Sequence, residues 1–168
     1  LLPYHNELKK AGACFGVSGE YERPMWYALN GATPEYKYSF DYQNWYPSVD
    51  FETKNTVNNV GLFELSPFSK YEIKSEAAHS ELQRICTANI NNEIGRSTYT
   101  QMLNEAGGIE TDLTVICIEE NHFRIISSSA TRTHDKAHIL KHLSSKLELK
   151  DITDELVCLG IFGPKSRD

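Results

Sequence analysis

The sequence predicts an α+β fold with a split βαβ (ferredoxin-like) mixed or antiparallel sheet that carries helices on one face. Two observations support this prediction. Between residues 68 and 162, segments with the period-two alternation of β-strands are interleaved with two segments of helical periodicity. Their order is strand, helix, strands, helix, strand, as in the split βαβ arrangement. Residues 1–59 show no sustained period of either kind, and we expect them to form an irregular, aromatic-rich segment.

The predicted regular structure begins at Phe68. Residues 68–73 alternate between apolar and polar side chains, as a half-buried strand does. A helix is expected next, because Ser75 can cap it and apolar residues recur at helical spacing from residue 78 to residue 86.

Three strands are predicted in the middle of the chain. Residues 98–103 and 113–118 should be neighbours in the sheet, because residues 104–108 between them favour a turn. A second tight connection at residues 119–122 leads to another strand at residues 123–126.

The second helix is predicted to start near Thr131 or Thr133, either of which can cap it. Its apolar residues form one stripe, and we expect this stripe to be buried together with Leu82 and Ile85 of the first helix. The stripe consists of Ala137, Leu140, Leu143 and Leu147. Residues 156–162 are predicted to supply the last strand of the sheet.

Two regions are expected along the chain. Residues 1–59 should pack as an irregular N-terminal segment on the core, and residues 60–168 should form the α+β region. The aromatic residues between positions 20 and 46 either fill the first region or, if they are exposed together, form a surface for sugars or peptides.

Composition argues against several classes of function. The chain has 168 residues, of which 40% are hydrophobic, and this is enough to bury a core. Its net charge is −6 and its Lys and Arg residues are scattered, so we expect no nucleic-acid partner. Apolar runs are shorter than the roughly 20 residues that cross a bilayer, and the first residues lack a basic targeting region. We therefore expect a soluble protein with no membrane partner.

The cysteines and histidines do not predict a metal site. The four cysteines lie far apart with no Cys-x-x-Cys pair, so we expect reduced and mostly buried thiols. His134, His138 and His142 recur at i, i+4 and i+8, a spacing that can hold a metal ion. They lie opposite the apolar stripe of the second helix, however, and are expected to face solvent without binding metal.

Residues 99–113 are the strongest candidate for a functional site in the sequence. Gly107 and Gly108 allow a sharp turn, and Asp112 lies at the start of an apolar strand, where its carboxylate could enter a pocket. An aspartate beside a Gly-Gly turn is also commonly a solvated or capping residue. The neighbouring residues alone do not decide whether Asp112 enters a pocket or is a solvated or capping residue.

Residues 99–113 read Tyr-Thr-x-Met-Leu-Asn-Glu-x-Gly-Gly-Ile-x-x-Asp-Leu, which resembles the signature of the glycine-cleavage T-protein (aminomethyltransferase) family. Residues 61–66 and 160–164 resemble further segments of that family, in the same order. Residues 12–16 and 22–27 most resemble the folate-binding domain of sarcosine and dimethylglycine dehydrogenases. The resemblance covers only the N-terminal half of that domain.

The resemblance implies tetrahydrofolate-dependent transfer of an aminomethyl or iminium one-carbon unit, giving 5,10-methylenetetrahydrofolate. By its position in the family motif, Asp112 would be the catalytic residue beside the folate nitrogens and the one-carbon unit. Four further residues would line the tetrahydrofolate pocket: Tyr99, Phe68, Thr114 and Ser128. Phe68 stands where the family often has Met, and Ser128 where it often has Asn. Packing for Phe68 and a simple hydrogen bond for Ser128 are therefore alternative roles.

The resemblance also implies partners. These would be folate, a small methylated amine or aminomethyl donor, and the missing C-terminal half of the domain, so the activity of the isolated chain is left open. The sequence contains no Gly-x-Gly-x-x-Gly motif, so FAD, if the parent protein uses it, would belong to a separate domain. The expected location is cytoplasmic, or the mitochondrial matrix in a eukaryote. The alternative is a non-catalytic relative that binds folate or serves as a scaffold or regulator.

Overall fold

The chain divides into two compact units in the computed structural model, which describes residues 2–18 and 21–168. One unit consists of Leu1–Ser66 together with Val157–Asp168, and the other of Pro67–Leu156. We call the first the terminal unit and the second the sheet unit. The boundary expected after residue 59 lies within the terminal unit. Glu20, at the start of the expected aromatic stretch, lies outside the described residues.

The described residues form four α-helices, nine strands and one short 3-10 turn. In chain order these elements are α1 (His5–Lys10), β1 (Ala13–Ser18), β2 (Tyr21–Tyr27), α2 (Tyr46–Asn58), β3 (Gly61–Glu64), β4 (Ser69–Lys74), α3 (Ala78–Ile85), β5 (Ser97–Leu103), β6 (Ile109–Glu119), β7 (His122–Ser127), α4 (Arg132–His142), β8 (Lys150–Asp151), the 3-10 turn (Thr153–Glu155) and β9 (Leu159–Phe162).

The terminal unit contains two antiparallel strand pairs, β1 with β2 and β3 with β9. The segment expected to be irregular therefore includes a paired β1–β2 ladder and the 13-residue helix α2. Pro24 explains why the sequence did not predict β2, because proline cannot donate a ladder hydrogen bond and therefore argues against a strand. Here Pro24 pairs with Phe15 directly after a shift in register, and strands tolerate proline at such irregularities.

The sheet unit is built on five antiparallel strands in the order β5-β6-β7-β4-β8. The predicted α+β class is confirmed. Helix α3 connects β4 to the edge strand β5, and two strands, β7 and β6, lie between them. In a single split βαβ unit, only one strand would lie between the two connected strands. The short strand β8 forms the other edge.

Helices α3 and α4 pack on one face of this sheet, against β7 and β6 respectively. Alternate strand residues point toward the helices and are almost completely buried, as the pleat of a strand requires. The core includes Tyr71, Ile73, Leu113, Val115, Phe123 and Ile125 from the strands, with Leu82 and Ile139 from the helices. We call the opposite face of the sheet the open face.

Helix α4 buries a different face from the one predicted. Ile139 is 0% exposed, whereas Leu140 is 47% exposed and Ala137 is also exposed, so the expected burial of Leu140 and Ala137 is wrong. The helix ends at His142, and Leu143 continues in an extended conformation. Steps of three counted back from Leu143 give Leu140 and Ala137, whereas steps of four give the buried Ile139 and Asp135. The other residues expected in the core do pack there: Leu82, Ile85, Leu143 and Leu147.

The last predicted strand forms, but its partner differs from the one expected. Strand β9 pairs antiparallel with β3, so that Gly61 lies opposite Phe162, and both strands belong to the terminal unit. The prediction that this strand joins the sheet of residues 68–126 is therefore wrong. Its own alternation indicates a strand but does not specify which strand it pairs with.

The four cysteines are free, as predicted. Cys14, Cys86 and Cys117 are buried and Cys158 is partly exposed. Burial raises the pKa of the Cys86 thiol to about 12, so this thiol stays protonated and unreactive at neutral pH. Among the described residues, no helix combines the length and the apolar character needed to cross a membrane.

Candidate functional site

Asp112 lies near the beginning of β6, on the open face of the sheet unit. Its neighbours Thr111 and Leu113 are buried, whereas the Asp112 side chain is exposed. Gln101 of β5 lies opposite it. The alternation of β6 therefore turns the carboxylate away from the core.

Tyr99 and Thr114 lie opposite each other on β5 and β6, on the same open face. Tyr99 is 62% exposed, and its hydroxyl donates a hydrogen bond to Oδ2 of Asp112 at 2.9 Å. Diagonal neighbours on adjacent strands are within reach of a long aromatic side chain. The contact orients the carboxylate and leaves the tyrosine ring accessible.

Phe68 and Ser128 lie just outside the ends of β4 and β7. Leu113 pairs with Ser127, and Ser127 pairs with Ser69. Asp112, Ser128 and Phe68 are the adjacent residues on these three segments, so they follow one another across the sheet. Phe68 is 39% exposed, so packing accounts for only part of its surface. The hydroxyl of Ser128 accepts a hydrogen bond from the backbone N–H of Ala130 at 3.2 Å, which is the simple role considered for it.

Lys70, a buried cation, lies beside Phe68 and was not among the predicted site residues. It is 3% exposed, and its Nζ donates hydrogen bonds to the carbonyl oxygens of Phe68 at 2.9 Å and Thr153 at 3.3 Å. The strand register places Lys70 in the same row as Thr114 and Tyr99. A lysine at a polar position of an alternating strand normally indicates solvent exposure, so the sequence offered no signal for its burial.

A cluster of charges joins β4 to β7 on the same face. Nη2 of Arg124 lies 2.6 Å from Oε1 of Glu72, and Nε2 of His122 lies 3.2 Å from Oε2. Burial alone would raise the pKa of Glu72, but the hydrogen bonds from Arg124 and His122 overcome this effect and lower it. This carboxylate therefore stays ionised and serves to join the two strands.

Of the three histidines of α4, His134 is exposed as predicted, whereas His138 and His142 are less exposed than predicted. The side chain of His134 is 52% exposed and lies 3.0 Å from a carboxylate oxygen of Glu110, and His138 and His142 are half-buried with ring centroids 4.4 Å apart. Within residues 2–18 and 21–168, no group of three or more His, Cys, Asp or Glu side chains is placed to hold a metal ion. That the protein binds no metal stays a prediction.

A cavity of about 580 Å³ lies in the terminal unit, lined by residues of β2, α2 and β3. Its wall contains both apolar and polar side chains, with Met25, Phe51 and Phe63 among the apolar ones. Glu52 also lines it and accepts a hydrogen bond from the backbone N–H of Tyr27 at 3.0 Å. Burial raises the pKa of Glu52. No sequence pattern indicated this cavity.

Comparison with known protein sequences identifies the family of the chain and several similar proteins. The family described as GCVT N-terminal domain matches residues 4–168. The 4-methylaminobutanoate oxidase (formaldehyde-forming) of Paenarthrobacter nicotinovorans is 36% identical over 167 residues, covering 99% of this chain and 20% of that protein. The mitochondrial dimethylglycine dehydrogenase of Rattus norvegicus is 32% identical over 155 residues, covering 90% of this chain and 18% of that protein.

A solved structure shares the fold. The crystal structure of glycine cleavage system aminomethyltransferase T from Bartonella henselae matches with a TM-score of 0.80 and 24% sequence identity. The match covers 98% of this chain and 41% of that chain. The chain also spans only about a fifth of the length of the oxidase and the dehydrogenase named above.

Proposed function

The chain belongs to the GCVT N-terminal domain family, and from this we propose that it forms part of an enzyme that transfers a one-carbon unit to tetrahydrofolate. The product would be 5,10-methylenetetrahydrofolate, and the donor a small methylated amine or an aminomethyl group. Two relatives are named for 4-methylaminobutanoate and dimethylglycine, which are N-methylated amines, and this supports the choice of donor.

The contact between Tyr99 and Asp112 is the observation that carries the proposal. It joins the residue to which the resemblance assigns catalysis, Asp112, to one that it assigns to the folate pocket, Tyr99, and both side chains are exposed. Both residues lie on paired strands of the sheet unit, so their backbone positions are well defined. An aspartate that served only to cap a turn would not need a tyrosine on the neighbouring strand.

The open face has the chemistry to hold a flat heteroaromatic ligand with N–H donors. The accessible rings of Tyr99 and Phe68 offer surfaces for stacking, and the Asp112 carboxylate can accept hydrogen bonds. The hydroxyls of Thr114 and Ser128 provide further polar contacts nearby. When bound, tetrahydrofolate supplies the amine nitrogens that accept the one-carbon unit.

Asp112 would act as a fixed anion. Its carboxylate can stabilise a cationic one-carbon unit and steer it toward the acceptor, while the Tyr99 hydroxyl sets the orientation of the carboxylate before any ligand binds. Asp112 is exposed in this chain, and its charge acts most strongly once water is excluded. The bound ligand and the remainder of the domain would provide that exclusion.

The proposed activity needs parts of the protein outside this chain. The missing C-terminal half of the domain would complete the folate pocket. FAD, if amine oxidation precedes the transfer, would be held by a separate domain. The proposal therefore concerns the full-length protein, to which this chain contributes the sheet with Asp112.

Asp112→Asn in the full-length protein tests the proposal. The substitution keeps the shape but removes the charge, so folate binding should survive while single-turnover formation of 5,10-methylenetetrahydrofolate falls by about 100-fold or more. Asp41→Asn, at an exposed aspartate of the terminal unit, is the matched control and should leave the rate unchanged.

Two outcomes would contradict the proposal. Equal transfer rates for wild type and Asp112→Asn would mean that Asp112 is only a residue of the strand. A wild-type protein that binds tetrahydrofolate but transfers no carbon from any methylated amine would favour the non-catalytic relative instead.

A further inference from the structure

Glu110 is the extra residue of a β-bulge at the start of β6. The register between β5 and β6 shifts between Met102 and Leu103, which lie opposite residues 111 and 109. Glu110 therefore has no residue of β5 opposite it. Bulges near sites often redirect one side chain, and this bulge lies two residues before Asp112.

The bulge turns the Glu110 side chain away from the face that carries Asp112. In a regular strand, residues 110 and 112 would share a face. Glu110 instead reaches helix α4, where its Oε2 lies 3.0 Å from Nε2 of His134. The two side chains are 27% and 52% exposed, so the ion pair is partly shielded from water.

The second oxygen of Glu110 binds the turn between β5 and β6. Its Oε1 accepts a hydrogen bond from Nδ2 of Asn104 at 2.8 Å. Oδ1 of Asn104 accepts hydrogen bonds from the backbone N–H groups of Ala106 at 3.0 Å and Gly108 at 2.9 Å. One carboxylate therefore connects the turn, the start of β6 and helix α4.

His134 is held on its other side by its own helix. Its Nδ1 lies 3.3 Å from Oδ1 of Asp135, which is 0% exposed. Oδ2 of Asp135 accepts a hydrogen bond from the Thr131 hydroxyl at 2.8 Å. Among the residues that the structure describes, the titratable groups that face His134 are Glu110 from β6, and Asp135 and the ring of His138 from α4.

We propose that Glu110 and His134 form a charged latch between α4 and the β5–β6 turn, and that both are positioning residues for Asp112. The inference rests on the proposed function, because the latch would hold the carboxylate where the one-carbon unit arrives. It acts through the backbone of residues 110–112, where Thr111 is anchored by burial.

The strength of the latch depends on the charge of His134. The hydrogen bond to Asp135, followed by that to Glu110, raises the pKa of His134 above its usual 6.5 despite the opposing effect of burial. A histidine whose folded pKa is raised contributes its full stabilisation at low pH and loses it as the pH rises through that pKa. The latch should therefore weaken as the solution becomes alkaline.

The test compares Glu110→Gln, His134→Gln and the double variant in the full-length protein. Well below the pKa of His134, each single variant should slow single-turnover transfer about two- to fivefold, the effect expected for a partly exposed ion pair. The double variant should be no slower than either single variant, because both changes remove one interaction. His142→Gln, the same substitution two turns further along α4, should leave the rate unchanged.

The pH dependence separates the latch from a merely structural role. The ratio of the wild-type rate to the His134→Gln rate should fall toward one as the pH rises, since titrations common to both proteins cancel in the ratio. Losses that multiply in the double variant, or a ratio that does not change with pH, would overturn the latch.

Hydrogen exchange of residues 104–112 is a readout that does not depend on transfer. At low pH, Glu110→Gln and His134→Gln should speed exchange in this segment about two- to fivefold, whereas His142→Gln should not change it. Full activity of Asp112→Asn would refute the proposed function while the exchange experiment still tested the latch. Unchanged exchange in both latch variants would refute the latch even if Asp112 proved essential.

Discussion

At the scale of single residues, the hydrogen bond from Tyr99 determines how the Asp112 carboxylate is presented. Tyr99→Phe removes the hydroxyl but keeps the ring, so single-turnover transfer should fall only about three- to tenfold, as expected for one hydrogen bond to an exposed charge. Tyr38→Phe, at an exposed tyrosine of the terminal unit, is the control. A loss as large as that of Asp112→Asn would instead show that the Tyr99 hydroxyl takes part in the reaction.

Some residues of the candidate site could be predicted from the sequence and others could not. Asp112 and Tyr99 could be identified because they belong to one continuous motif. Glu110 and His134 are 24 positions apart, and each has the polar character expected of a solvated residue. Their contact depends on a bulge that period-two alternation does not reveal, so only the folded chain shows it.

At the scale of elements, helix α4 provides a matched pair of neighbouring apolar residues in opposite environments. Ile139 is 0% exposed, so Ile139→Ala should lower the free energy of unfolding by about 2–5 kcal/mol. Leu140 is 47% exposed, and Leu140→Ala should change it by about 0.5 kcal/mol or less. Urea unfolding of both variants measures the difference. Equal losses would mean that the helix is rotated from the orientation described.

The difference between the predicted and the observed buried face of α4 also has its cause at this scale. The helix buries Asp135, a charged residue that an apolar stripe does not include, because the hydroxyl of Thr131 and the ring of His134 satisfy its carboxylate. The buried face contains Asp135 and Ile139, followed at the same spacing by the buried Leu143. A pattern that counts only apolar residues leaves out Asp135 and therefore misplaces the buried face, although it locates the helix itself.

At the scale of the whole molecule, ion pairs between distant segments make stability depend on pH. Arg124 of β7 binds Glu72 of β4 at 2.6 Å, and Arg132 of α4 binds Asp151 of β8 at 3.0 Å. Burial alone would raise the pKa of both carboxyls. Hydrogen bonds from Arg124 lower that of Glu72 instead, and those from Thr153 and Arg132 lower that of Asp151.

A carboxyl whose folded pKa is lowered stabilises the fold above its unfolded pKa, and this contribution disappears as the pH falls through the folded pKa. The midpoint of urea unfolding should therefore fall as the pH drops below the ordinary values of 4.5 for Glu72 and 3.8 for Asp151. Glu72→Gln should reduce this loss. The raised pKa of Glu52 in the terminal unit acts in the opposite direction. A midpoint that rises on acidification would contradict the prediction.

By itself, the sequence determined the α+β class, the existence of the two helices and most strands of the sheet unit, and the family motif that contains Asp112. These are local properties, because alternation, helical spacing and a continuous motif can each be read within a short stretch of chain. Only the tertiary structure decided that β9 pairs with β3, which face of α4 is buried, and that Glu110 meets His134. Each of these depends on contacts between residues far apart in the chain, and the pattern of one segment does not specify its partner.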